Sequence, residues 1–285
     1  MTWRWYAAVC AAALGTSVVT VAQQPMFSSR LEAVRVDVLV TDNGRLVRGL
    51  VPADFVVLDN GIPQTVDIAS FETLPVNVIL ALDHSRSVTG ERLAQLQDAA
   101  RTVLRALAPR DQAALITFSH RVALQQALTH DGGAVVDAVD AAQPGGQTSL
   151  FDGVYAGLLA GVNDPSRNLL LVFSDGVDTA SWLSSAQIIE TAKRSDVVVY
   201  ALSPKDAGSA PFLRDLTEQT GGSAFEVDSL GELSSRFVAI LEEFRHRYLL
   251  SYSPKGAPSP GWHRLEVKLK NRRATIKARP GYTGR

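Results

Sequence analysis

The sequence is nearly free of cysteine and carries almost no net charge. Cys10 is the only cysteine among 285 residues, and it lies in an apolar segment at the N-terminus. Once that segment is removed, disulfides, thiolate metal ligands and cysteine nucleophiles are unavailable, so metal chemistry must use oxygen or histidine. The formal charge of -1 provides no long-range attraction for nucleic acid or an anionic membrane. A nucleic-acid partner is therefore not expected.

Several catalytic and nucleotide-binding motifs are also missing from the sequence. It contains no Walker A loop, no Gly-x-Gly-x-x-Gly fingerprint and no Gly-x-Ser-x-Gly nucleophile elbow. His120, His130, His246 and His263 are scattered without the spacing of metal ligands. These absences argue against nucleotide binding and against serine or histidine catalysis.

The first 22 residues are typical of a secretory signal. They contain one cation, Arg4, then an apolar run rich in Ala and Val, then Thr20-Val21-Ala22, a small-residue pattern that a signal peptidase cleaves. The alternative is a membrane anchor, but the apolar run is short for a span and no basic cluster follows it. We expect a secreted protein that is not integral to a membrane after cleavage. Periplasmic and extracellular locations are not distinguished.

The middle of the chain alternates between strand and helix patterns. With 46% hydrophobic residues, the chain has enough apolar material for one sizeable core and a smaller second unit. Apolar runs too short for membrane spans alternate with helical patterns after Pro75; the runs are Val76–Leu82, Ala113–Phe118, Leu169–Phe173 and Val197–Leu202. This order predicts an α/β fold with a doubly wound, mostly parallel sheet and helices on both faces.

The flanks of this region have the period-two pattern of strands. Asn43-Gly44 and Asn60-Gly61 favour tight hairpins, the second one joining Phe55–Leu58 to Thr65–Ile68. Near the C-terminus, residues 264–270 and 274–278 predict an antiparallel ribbon. We expect the flanks to form a small antiparallel β unit. The predicted organisation is a signal peptide (1–22), a β segment (31–72), the α/β domain (73–247) and a second β segment (248–285) packed with the first.

Polar side chains follow three of the predicted elements at the edge where ligands collect in a parallel sheet. Asp83, Ser85 and Ser87 follow the first apolar run, and Asp175 follows the third. Thr148 lies just before a predicted helix. All are hard oxygen donors, which suit Mg²⁺, with Mn²⁺ or Ca²⁺ as alternatives. Such a cation usually keeps several water ligands, so an acidic group from a partner could take one of those coordination positions.

These residues and their order resemble the von Willebrand factor type A family over residues 73–247. The resemblance implies a metal-ion-dependent adhesion site in which Ser85, Ser87 and Thr148 contact the cation. Asp83 and Asp175 would hold it directly or through water. The implied function is a secreted, non-enzymatic module that binds an acidic residue of a protein ligand through the metal. The flanks resemble those of secreted bacterial proteins that carry this domain.

Two other functions remain open at this point. Asp83 has the place of the nucleophile of a Mg²⁺-dependent aspartyl phosphotransferase or phosphohydrolase, although such enzymes usually have a second carboxylate nearby. A structural envelope protein with a vestigial site is the other alternative. Individual residues also have structural explanations; Thr148 is suited to cap a helix, Asp178 to a solvated loop, and Trp182 to packing.

The signal assignment predicts that the exported protein begins near Gln23 and contains no cysteine. N-terminal sequencing of exported material tests this expectation. An intact Met1 recovered from a membrane fraction would contradict it.

Overall fold

A computed structural model describes residues 33–69, 74–161, 166–175, 177–205, 207, 210–256 and 260–284. The predicted signal lies outside the described residues. The strands are β1 (Val34–Asp42), β2 (Arg45–Leu46), β3 (Phe55–Asp59), β4 (Ile62–Gln64), β5 (Asp67–Ala69), β6 (Val76–Asp83), β7 (Gln112–Phe118), β8 (Val122–Thr129), β9 (Arg167–Phe173), β10 (Val198–Pro204), β11 (Ala224–Val227), β12 (Tyr248–Tyr252), β13 (Gly261–Leu269), β14 (Thr275–Lys277) and β15 (Gly281–Gly284). The helices are α1 (Glu91–Arg105), α2 (Gly132–Ala141), α3 (Leu150–Ala160), α4 (Ser185–Ala192), α5 (Ala210–Thr220) and α6 (Leu233–Arg245). No helix formed by these residues is long and apolar enough to cross a membrane.

The central sheet has the order β11-β10-β9-β6-β7-β8. All neighbours pair in parallel except β7 and β8, which pair antiparallel. Every residue of β6 and of β9 is buried, because helices cover both faces of the sheet. The predicted doubly wound, mostly parallel sheet is confirmed. In the described part of the chain, the strict alternation of strand and helix is interrupted where β8 returns directly from β7 and where α3 follows α2 without a strand between them.

Alternate residues of the buried strands contribute to two apolar cores. Val78, Leu80 and Leu82 face a core formed with α1, α2 and α6. Ile79 and Ala81 face the opposite core, which is formed with α3, α4 and α5. Because successive strand residues point to opposite faces, uninterrupted apolar runs in the sequence correspond to strands covered on both sides.

The flanks form two antiparallel sheets around a third apolar core. One has the order β14-β1-β12-β5, with β2 paired to β1, and the other has the order β15-β13-β3-β4. Side chains from both sheets share the core, among them Val36, Val57, Leu250 and Leu265. The predicted antiparallel β unit built from both flanks is thus confirmed as part of the fold.

The pairing of individual flank strands was only partly predictable. The Asn-Gly turns form as expected, with positive φ at Asn43 (50°) and Asn60 (49°). The predicted ribbon between residues 264–270 and 274–278 is wrong, because β13 pairs with β3 and β15 while β14 pairs with β1. The arm following Asn60-Gly61 is β4 rather than Thr65–Ile68, and β5 pairs with β12. The alternation of apolar and polar residues identifies which face of a strand is buried. It does not identify the neighbouring strand, because two strands that share a core can lie in different sheets.

A buried ion pair joins the flank unit to the central sheet. The Arg167 guanidinium at the start of β9 is fully buried, and its Nε donates to Asp37 Oδ1 on β1 at 2.8 Å. Its Nη2 also donates to the carbonyl of Phe244 at 2.9 Å. Since a charge buried without its partner is costly, this pair makes the central sheet depend on a residue of the N-terminal flank.

We predict that Asp37→Ala lowers the free energy of unfolding by about 3–5 kcal/mol, because it leaves the Arg167 charge buried without its partner. Asp42→Ala on the same strand is a matched control, since its ion pair with Arg272 is exposed, with 40% and 49% of the side chains accessible. That change should cost less than about 1 kcal/mol. Urea denaturation measures both, and equal losses would contradict the proposed importance of the buried pair.

Candidate metal centre

The candidate centre lies where the strand order of the central sheet reverses. β6 is followed along the chain by β7 on one side of it, whereas β9 and β10 lie on the other side. The loops after β6 and β9 therefore diverge at the carboxyl edge of the sheet, where open α/β sheets bind ligands. Asp83 ends β6, and Ser174 and Asp175 directly follow β9. This topology brings together residues that are more than 90 positions apart.

The side chains after these two strands form a continuous set of hydrogen bonds. Ser85 Oγ lies 2.9 Å from Ser87 Oγ, and Ser87 Oγ donates to Asp175 Oδ1 at 2.7 Å. Asp83 lies behind them, accepting from the Ser85 backbone N–H at 2.8 Å through Oδ1 and from Ser174 Oγ at 2.8 Å through Oδ2. Hydrogen bonds thus link four of the five predicted residues to one another; these are Asp83, Ser85, Ser87 and Asp175.

Thr148 is joined to this set through the backbone of its loop. The Gly145 N–H donates to the His84 carbonyl at 2.7 Å, and the Arg86 N–H donates to the Gly146 carbonyl at 3.0 Å. Gly146 has a φ of +79°, and a Cβ there would lie 2.1 Å from Nδ1 of His120, so this position requires glycine. Two backbone hydrogen bonds therefore hold the loop after β6 against the loop before α3.

The loop after β9 is attached to the same place. The Thr148 N–H donates to Thr179 Oγ1 at 3.1 Å, and the Thr148 carbonyl accepts from the N–H groups of Thr179 and Ala180 at 2.8 and 3.1 Å. Each of the three loops is thus hydrogen-bonded to the other two.

The start of α3 is not capped by Thr148, so that expectation is wrong. The residue before the helix is Ser149, whose side chain makes no capping hydrogen bond. The N–H groups of Phe151 and Asp152 lie in the first turn and have no partner within the helix. They donate instead to Asp178 Oδ1 at 3.2 Å and to Ser181 Oγ at 3.1 Å. Asp178 is therefore a partly buried capping residue rather than a solvated carboxylate. The sequence next to the helix could not indicate this cap, because Asp178 lies 27 residues after Phe151.

The same loop presents an exposed tryptophan. The Asp152 carboxylate accepts from the N–H groups of Trp182 and Leu183 at 2.9 and 3.0 Å, which fixes the backbone of the loop. The Trp182 side chain is nevertheless 96% exposed. The expectation that Trp182 packs inside the fold is wrong, because the loop is anchored by its backbone and not by its aromatic ring.

Two further residues near the centre were not identified from the sequence. Ser174 binds the Asp83 carboxylate, and its position directly after an apolar run was a usable signal. Arg92, the second residue of α1, donates from Nη1 to Asp175 Oδ2 at 3.0 Å. Nothing in the local sequence around Arg92 indicates this contact.

Burial changes the protonation of Asp83. The carboxyl is fully buried, and burial raises its pKa to about 6, although the hydrogen bonds from Ser85 and Ser174 lower it. The neighbouring carboxylate of Asp175 raises it further. His84, the next residue, is also buried, and burial lowers its pKa. The ionised form of Asp83 is thus destabilised unless positive charge lies nearby.

Comparison with known proteins identifies the domain. The sequence model described as the von Willebrand factor type A domain matches residues 77–238, which is more than half of the chain. The chain belongs to the von Willebrand factor type A domain family. This assignment agrees with the fold of the central sheet.

Relatives of this von Willebrand factor type A protein include inter-alpha-trypsin inhibitor heavy chain H2 of Sus scrofa. It is 25% identical over 171 residues, which are 54% of this chain and 18% of that protein. An uncharacterised protein of Synechocystis is 30% identical over 87 residues, 30% of this chain and 21% of that one. The chain thus matches about a fifth of the length of these relatives. Among solved structures, proximal thread matrix protein 1 of the mussel byssus, described with a zinc-occupied adhesion motif, has a TM-score of 0.55 at 16% identity. It covers 65% of this chain and 49% of that one.

The five predicted ligands are of the chemical type that binds a hard divalent cation. The set combines two carboxylates with hydroxyl groups and contains no sulfur. Among the residues that the structure describes, no group of three or more His, Cys, Asp or Glu side chains gathers to hold a metal. A cation at this place would therefore depend on the hydroxyl groups as well as on the carboxylates.

The raised pKa of Asp83 predicts a pH-dependent stability in the absence of divalent cations. Since the folded chain holds a proton on Asp83 up to about pH 6 and an ordinary Asp only up to 3.8, the free energy of unfolding should fall as pH rises through this window. The loss should be about 3 kcal/mol at most. Asp83→Asn keeps an acceptor without the charge, so it should be roughly 1–3 kcal/mol more stable than wild type at pH 7.5.

Urea denaturation in EDTA at pH 4.5 and 7.5 measures this difference. Asp140→Asn is the control, because Asp140 is an exposed carboxylate paired with Arg101. Its effect should be small at both pH values. An Asp83→Asn protein that is less stable than wild type at pH 7.5 would contradict the prediction.

Proposed function

We propose that the chain is a secreted, non-enzymatic binding module that holds a divalent cation through Asp83, Ser85, Ser87, Thr148 and Asp175. The cation is Mg²⁺, with Mn²⁺ or Ca²⁺ as alternatives, and it binds an acidic side chain of a protein partner. The observation that carries this proposal is the run of hydrogen bonds from Ser85 through Ser87 to Asp175, with Asp83 behind it. It gathers hard oxygen donors from two loops at the edge where such sheets bind ligands.

The arrangement also indicates how the work would be divided among these residues. Ser87 is exposed, whereas Asp83 is fully buried and 1% of the Asp175 side chain is accessible. Ser87 is therefore the proposed ligand nearest to a partner, whereas Ser85, Thr148 and the two carboxylates lie beneath the surface. When bound, the cation supplies a coordination position for an incoming carboxylate.

The enzymatic alternative has less support from the same contacts. An aspartyl phosphotransferase requires a carboxylate oxygen that can attack phosphorus. Both oxygens of Asp83 instead accept hydrogen bonds, and the residue has no accessible surface. These contacts favour a role for Asp83 in holding charge rather than in nucleophilic attack.

We also propose an export route and a domain organisation from the sequence. Residues 1–22 act as a cleaved signal, and the mature protein is periplasmic or extracellular. Residues 73–247 form the metal-binding domain, with the β segments 31–72 and 248–285 supporting it.

Metal binding is tested by calorimetry on the mature protein with Mg²⁺, Mn²⁺, Ca²⁺ and Zn²⁺. Binding should raise the melting temperature by mass action. Asp83→Ala should weaken binding more than about 100-fold, beyond the usual effect of changing an outer-shell group. Thr148→Ala should weaken it while Thr148→Ser preserves it, and Asp140→Asn should have no effect. If no divalent ion binds at millimolar concentration, or if Asp83→Ala binds as well as wild type, the proposal is wrong.

Partner binding is tested by immobilising the mature protein and passing envelope extract of the source organism over it with Mg²⁺. Elution with EDTA should release a protein from wild type and none from Asp83→Ala. Retention that survives EDTA, or that is equal in the variant, would separate binding from the metal and contradict the proposed mechanism.

A further inference from the structure

Arg92 makes an ion pair with a predicted metal ligand. Its Nη1 lies 3.0 Å from Asp175 Oδ2, while Ser87 Oγ lies 2.7 Å from Oδ1 of the same carboxylate. The Asp175 side chain is 1% exposed, whereas that of Arg92 is 50% exposed. Asp175 thus faces a fixed cation on one side and the proposed metal position on the other.

This geometry has two opposing electrostatic consequences. A guanidinium bound to one oxygen of a carboxylate lies within about 5–7 Å of a metal at the other oxygen, so the two positive charges repel. At the same time, Asp83 and Asp175 with Arg92 have a formal charge of -1, which a divalent cation converts to +1. Without Arg92 the loaded centre would be formally neutral and would attract an anion less strongly.

The Arg92 side chain is half exposed, so its guanidinium can also contact a ligand from solvent. A guanidinium has five N–H donors, and the contact with Asp175 is made by one nitrogen. The remaining donors are suited to a second carboxylate oxygen, which guanidinium groups bind in a fork geometry.

Resting on the proposed function, we propose that Arg92 is a specificity residue of the metal centre. It weakens the binding of the divalent cation and strengthens the binding of the partner's carboxylate, of which one oxygen is bound by the metal and the other by Arg92. An acidic ligand is thereby preferred to a neutral oxygen donor, because its two anionic oxygens can contact both positive groups.

The test compares Arg92→Gln and Arg92→Lys with wild type in two measurements. Calorimetric titration with Mn²⁺ should show binding tightened roughly tenfold or more in Arg92→Gln and little changed in Arg92→Lys, which keeps the charge. Acetate is then titrated into the Mn²⁺-loaded proteins, and displacement of metal-bound water is followed by water-proton relaxation. Arg92→Gln should require at least several-fold more acetate than wild type.

Arg101→Gln is the matched control, because Arg101 lies on the same helix about 13 Å along its axis and pairs with Asp140. Both titrations should be unchanged in it, since that separation exceeds the screening length at physiological salt. If Arg92 only orients Asp175, then Arg92→Gln should leave Mn²⁺ binding unchanged or weaker, and this result would overturn the inference. Unchanged or tighter acetate binding would also overturn it.

The outcomes also separate this inference from the function on which it rests. Binding of Mn²⁺ by wild type, with no opposite shift in Arg92→Gln, would overturn the role of Arg92 alone. Absence of Mn²⁺ binding by both wild type and Arg92→Gln would overturn both proposals. Binding by Arg92→Gln but not by wild type would overturn the proposed function of the native chain, and with it the role of Arg92 in ligand specificity.

Discussion

Asp83 ends a strand in which every residue is buried, so its carboxylate must be stabilised without bulk water. The protein provides a backbone N–H from Ser85 and a hydroxyl from Ser174, which come from the loops after β6 and β9. These contacts only partly offset the cost of burial, since the pKa of Asp83 remains near 6. The ionised form of Asp83 therefore destabilises the fold, and a cation bound nearby would relieve that cost.

The same requirement explains why the loops around the centre are fixed to each other. A carboxylate can be positioned for a ligand only if the backbone around it has few alternatives. Here the helix α3 begins without a local cap, and its N–H groups are bound by Asp178 and Ser181 from a loop that is itself bound to Thr148. The start of the helix and the geometry of the centre therefore depend on the same loop, the one after β9. Substitutions in this loop should therefore affect the centre even when they are made at residues other than the five proposed metal ligands.

The sequence was sufficient for features set by local chemistry or by burial. Buried strands appear as continuous apolar runs, and Asn43 and Asn60 take the positive φ expected of them. Features set by distant parts of the chain were not accessible in this way. The pairing of β14 with β1 and the contact of Arg92 with Asp175 join segments more than 80 residues apart. Trp182 illustrates a different limit, because an aromatic residue predicts packing unless the surrounding backbone holds it outward.

The two connections between the central sheet and the flank unit lie at one end of the sheet. One connection leads from the N-terminal flank into the start of β6, and the other leads from the end of α6 into β12. The end of α6 lies next to the start of β9, where Arg167 forms its ion pair with Asp37. The candidate centre lies at the opposite end, about 23 Å away along the eight residues of β6. Any tether attached through the flanks would pull along the strands from behind the domain. The end that carries the candidate centre would then point outward, and the β unit, with its contacts through Arg167 and through Arg279 and Asp196, would lie between the tether and that centre.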